Sequence, residues 1–130
     1  MLTTKKNKHI GDLHFEHQLW RSEAKFYKDE LRIYQNRLSE VASKNTNVEF
    51  RKQVEHFQNQ FLIQEKQLNL LNNEIKQHEK FLSTFAAEYP VAIDHQLFSD
   101  HKVMREKAET FKKLYDELKR EFNHFLTNWM

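Results

Sequence analysis

The chain has 130 residues, 31% of them charged, a formal net charge of +2, one glycine, one proline and no cysteine. One domain with a real core fits this length, and so little turn chemistry excludes a β-fold, so an all-α protein is expected. Disulfides, thiolate metal sites and cysteine nucleophiles are excluded, and the small net charge gives no reason to expect a nucleic-acid partner.

Residues 1–11, with Lys5, Lys6 and Lys8, read as a basic flexible tail without an apolar segment behind it. Asp12 is the expected N-cap of a first helix whose apolar stripe runs Leu13, His17, Trp20, Ala24, Tyr27, Leu31, Tyr34, Leu38, Val41. SKNT, residues 43–46, interrupts it, and Thr46 with Glu49 has the spacing of a capping box. A second stripe follows: Phe50, Val54, Phe57, Phe61, Gln64, Leu68, Leu71, Ile75, His78, Leu82, Phe85. Pro90 in YPVAID breaks it. The third runs Leu97, His101, Met104, Ala108, Phe111, Tyr115, Leu118, Phe122, Phe125, Trp129.

Three sustained heptad stripes joined by two short connections predict an elongated antiparallel three-helix bundle with coiled-coil packing over residues 12–130. The helices are expected at about 12–43, 47–88 and 94–129. Placing His17, Val54 and His101 at heptad position a makes Glu16, Glu23, Glu30 and Arg37 the g row of the first helix. Charge pairing then favours helix 1 on helix 2 by the g rows and helix 2 on helix 3 by the e rows, with Glu79 opposite Arg105 and Glu65 opposite Lys119. A fold-back centred near Asn45 sets residue 17 level with residue 73, and residue 12 with residue 78. The tip from about 79 to 100 is then a two-helix hairpin extending beyond helix 1.

Each helix carries one histidine in its core stripe: His17, His78 and His101. Neutral imidazole suits Zn, Fe or Ni. In this register His17 and His101 stand roughly 15 Å apart along the axis, too far for one ion. A smaller candidate survives, Glu16 and Glu74 facing one another with His17 and His78 beside them. The single Glu-x-x-His, Glu121 to His124, has no companion to make a di-iron pattern. No cofactor is expected.

A second apolar series lies at position c: Leu19, Phe26 and Ile33 on helix 1, Ile63 and Leu70 on helix 2. In the expected register they form two apolar rails beside an acidic and amide trough on the outer face of the helix 1–2 hairpin. Those five residues are the expected anchors for a protein partner or a homo-oligomer, with Glu23 and Glu30 as orienting charges. No phosphate-cradling loop or nucleophile motif is present, so the chain reads as a non-enzymatic contact protein. No apolar run is long enough to span a bilayer, and a cytoplasmic location is expected. The alternative is a metal-binding bundle.

Overall fold

A computed structural model describes residues 10–88 and 95–129. Of the tail expected over 1–11, residues 1–9 lie outside the described residues, while Ile10 and Gly11 are already helical; the connection expected at 89–94, with Pro90, lies outside them too. Three helices follow one another, α1 (Ile10–Ala42), α2 (Val48–Glu88) and α3 (His95–Trp129), and they form the all-α three-helix bundle that the stripes imply.

Local chemistry explains the ends. Ser43 Oγ donates to the Glu40 carbonyl, and the Lys44 N–H reaches the Val41 carbonyl, closing α1. The cap of α2 is Asn47, not Thr46. Its Oδ1 accepts the N–H groups of Glu49 (2.9 Å) and Phe50 (3.2 Å), two of the donors a helix start leaves orphaned. Asn45 Oδ1 in turn accepts the Asn47 N–H at 2.9 Å and sets the cap's backbone. Asp12 does not precede α1. It lies inside the first turn, where its charge complements the helix dipole.

The stripes form two apolar clusters. The larger spans the middle and the end carrying the α1–α2 turn, with aromatic rings in mutual contact: Phe57, Phe61, Phe122 and Phe125, joined by Tyr34 and Phe50. The smaller is Leu13, Leu82 and Leu97 at the other end, with Ile10 and Phe85 against it. Helix α1 therefore covers much of the tip, and the free two-helix hairpin expected beyond residue 78 is not what forms.

The register differs from the expected one by about five residues at each seam, because His17 meets His78, and His78 in turn meets His101. The physical reason lies in the layers. A fold-back centred on Asn45 sets His17 level with residue 73, a position whose side chain faces solvent, whereas a core layer needs inward-facing residues from every helix. Residues 43–47 are not helical, so each can advance the chain by up to about 3.3 Å rather than the helical 1.5 Å. Phe50, in the first turn of α2, accordingly packs on Phe125 and Trp129 near the end of α3.

The seams are also exchanged. The g residues of α1 face α3: Glu16 pairs with Arg105 (2.6 Å), and Glu30 with Lys119 (3.1 Å) and Tyr115 (2.7 Å). Glu74 bonds Lys107 at 2.7 Å across the α2–α3 seam. Glu79 takes His14 and His17 rather than Arg105. Surface pairs are worth about 0.2–1 kcal/mol each, and fully burying one Phe about 1.5–3, so the aromatic layers decide the arrangement.

The two expected rails consequently part. All five anchors are exposed, but Ile63 and Leu70 line the α2–α3 groove with Val103 and Leu114, while Leu19, Phe26 and Ile33 belong to neither that groove nor the α1–α2 groove. Glu30, expected to orient a partner, is engaged inside the chain.

Leu13 is fully buried against Leu82 and Leu97. Leu13→Ala should lower unfolding free energy by about 2–5 kcal/mol in a urea titration. A loss below about 1 kcal/mol would mean that the first turns of α1 do not dock on the tip.

Candidate metal centre

The layer between the two apolar clusters is polar. Leucine at positions 17, 78 and 101 would have made one continuous core. Instead three imidazoles, one from each helix, converge there with one ligand nitrogen apiece lying within 4.8 Å of the others. The ring centroids are 4.9 Å (His17–His78), 5.0 Å (His17–His101) and 5.6 Å (His78–His101) apart. His17 and His101 are both 0% exposed, and Trp20 stacks on the His101 ring at 5.0 Å.

Hydrogen bonds fix which nitrogens carry protons. Glu79 Oε1 lies 2.6 Å from His17 Nδ1, and Glu16 Oε1 lies 2.7 Å from His101 Nε2. A carboxylate can only accept, so both of those nitrogens donate. On a neutral ring the opposite nitrogen, His17 Nε2 or His101 Nδ1, carries the lone pair. His78 Nδ1 lies 2.9 Å from His17 Nε2, so one of the two donates to the other. Two buried atoms of the cluster have no partner among the described residues, His101 Nδ1 and His78 Nε2. An unsatisfied buried acceptor costs about 1–3 kcal/mol, so an unliganded layer of this kind is expensive.

The outer shell is acidic. The hydrogen bond from Arg105 lowers the Glu16 carboxyl to about 2, overriding the opposing effect of burial. Burial raises Glu79, but the hydrogen bonds from His17 and His14 outweigh it and leave the carboxyl lowered. Both carboxylates are therefore ionised at neutral pH. Burial drives His101 down to about 4 despite the attraction of Glu16, and lowers His78, aided by its neighbour His17. Carboxylates on the outer nitrogens of His17 and His101 make the carboxylate–histidine pairing that orients metal ligands and raises their basicity.

A tetrahedral ion with nitrogens at about 2.0–2.1 Å needs ligand separations of about 3.4 Å. Closing from 4.8 Å asks each ring to shift by roughly 1 Å or less, within the reach of χ rotations inside staggered wells. The donor set is all nitrogen, which suits Zn²⁺, Co²⁺, Ni²⁺ or Cu²⁺ over Mg²⁺ and Ca²⁺.

Comparison with protein-family models, curated proteins and solved structures found no match. The chemistry of the layer stands on its own geometry.

Of the residues expected to bind metal, the structure brings His17 and His78 together and adds His101, which the expected register had placed too far away. Glu16 serves from outside, through His101. Glu74 does not face Glu16 and pairs with Lys107. Glu79 and His14 were missed as members of this network. The signal that could have found them is the layer rule: Glu79 follows His78 at the flank of the same layer, where it can reach imidazoles of α1.

In metal-free protein, His101 is neutral when folded and titrates at 6.5 when unfolded, so the unfolded chain binds the extra proton as pH falls. The stability this contributes is complete above 6.5 and lost progressively toward about 4. Thermal midpoints across that window should fall with acidification, and His101→Leu should flatten the slope without lowering the midpoint at neutral pH. An unchanged slope in the variant would show that other groups carry the acid sensitivity.

Proposed function

We propose that this protein is a metal-binding helical bundle in which one divalent transition-metal ion, with Zn²⁺ as the leading candidate, is held by His17, His78 and His101. The observation that carries the reading is the convergence of three core imidazoles from three helices, with two of their nitrogens buried and unpartnered. Bound there, the ion ties all three helices together one layer from the tip, so metal binding and bundle stability are one equilibrium. Glu79 and Glu16 hold the rings of His17 and His101 in the ligating orientation. The role is structural and non-enzymatic.

Titration of purified protein with Zn²⁺ should saturate at one ion per chain and raise the melting temperature. At a free-ion concentration of about 100 times Kd the gain is about 2.7 kcal/mol. His101→Ala and His17→Ala should abolish the stoichiometric site, Glu79→Gln should weaken it by about 10–100-fold, and Glu74→Ala should leave it intact. Full-strength binding by the His17 and His101 variants would overturn the assignment.

A second reading, protein contact, has its own observation. Ile63, Leu70, Val103 and Leu114 are exposed along a single groove between α2 and α3. Glu74 and Lys107 in this groove pair with one another, so a second copy would meet it mainly through the apolar rail, around a twofold axis that keeps the two Glu106 side chains apart. Sedimentation should reveal self-association that Leu70→Asp with Leu114→Asp abolishes at unchanged helicity. A wild-type protein that stays monomeric at every concentration would remove the homo-oligomer reading.

A further inference from the structure

The net charge of the whole chain is small, but its distribution is uneven. The groove between α1 and α2, a cleft of about 830 Å³, is lined by Arg21, Lys25, Lys28, Arg32 and Lys76 against a single acid, Asp29. Since the whole chain sums to +2, the rest of the molecule is net negative and this groove is the basic face. Asp29 is held by Lys25 at 3.1 Å. Among the described residues no carboxylate pairs with Arg21, Lys28, Arg32 or Lys76, whereas Glu16, Glu30 and Glu74 on the other seams are all answered.

The four cations of α1 recur at intervals of four, three and four residues, one straight row on one helix face. Neighbours in such a row are about 5–6 Å apart, and like charges at this spacing destabilise a helix. The row runs about 16 Å from Arg21 to Arg32. Lys76 faces it across the groove, and Asn69 and Asn72 add amide groups. The floor is Ala24 and Leu68, and the lining contains no aromatic ring on which a base could stack.

We propose that the α1–α2 groove binds the phosphodiester backbone of nucleic acid, without sequence preference. A line of repeated negative charge matches a line of repeated positive charge, and the lack of aromatic platforms confines contact to the backbone. A lipid surface fits less well, since the only apolar residues lining this groove, Ala24 and Leu68, are buried and cannot enter a bilayer. The inference is independent of the metal layer.

The test is fluorescence anisotropy with a labelled oligothymidylate over a range of salt concentrations. It compares wild type with Arg21→Gln, Lys28→Gln and Arg32→Gln combined. A control removes the same charge from α3 through Lys102→Gln, Lys112→Gln and Lys113→Gln. Glutamine keeps helix propensity close to that of lysine and arginine, and circular dichroism verifies the fold. Wild type should bind with a log–log salt slope that falls by about 2 in the groove variant, following about 0.7 released counterions per phosphate contact. Affinity at low salt should drop at least tenfold in that variant and less than threefold in the control. Equal losses in both variants would reduce the effect to net charge and overturn the proposal. So would absent binding by wild type, or retention of wild type on anionic phosphatidylserine vesicles without retention of the oligonucleotide.

Discussion

Burial of the aromatic layers at the α1–α2 turn end sets everything else in this bundle. Phe57, Phe61, Phe122 and Phe125 contact one another, and Phe50 reaches Phe125 and Trp129. Each ring contributes about 1.5–3 kcal/mol on burial, and rings in edge or offset contact add about 0.5–1.5 more. A slip of one layer would break several such contacts at once, so no combination of surface ion pairs can select another register. Once the far end is fixed, straight helices carry the alignment along the axis. His17, His78 and His101 then have no choice but to meet.

That meeting has a cost which the rest of the layer only partly offsets. Glu79 and Glu16 satisfy the outer nitrogens of His17 and His101, and Arg105 steadies Glu16. Further out, Glu79 also takes His14 and Ser83, so the polar network runs from the buried layer to the surface. His101 Nδ1 and His78 Nε2 remain without partners among the described residues. An apolar triad in the same place would be easier to fold, since a buried polar layer adds desolvation and leaves acceptors unmet. The proposed ion reverses the sign of that term by turning orphaned lone pairs into ligands.

The elements were legible in the sequence because 3.5-residue periodicity is a local property. Leu31, Leu38, Leu68 and Phe111 announce an inward face without knowledge of any neighbour. The histidines' presence in the stripes was equally plain. Their convergence was not, because it depends on the offsets between helices, and those were taken from a turn midpoint and from charge rows. Part of the answer was still available. An inward-facing His17, at position a, must share its layer with a position-d residue of the antiparallel α2, which leaves Leu71 or His78 and excludes both Ile75 and residue 73. Choosing between those two needs the shape of the 43–47 connection and the fit of the aromatic rings, both of which are non-local. The exposure of Leu19, Phe26, Ile33, Ile63 and Leu70 was readable for the same local reason as the stripes. Their pairing failed because the seams are exchanged.

X-ray absorption at the metal edge of Zn²⁺-loaded protein tests the central claim most directly. The account predicts three imidazole nitrogens at about 2.0–2.1 Å, with the outer-shell scattering of histidine rings and at most one further light ligand. A first shell made mainly of carboxylate or water oxygens, without imidazole multiple scattering, would contradict it. The ion would then sit on the surface, and the histidine layer would be only a polar interruption of the core.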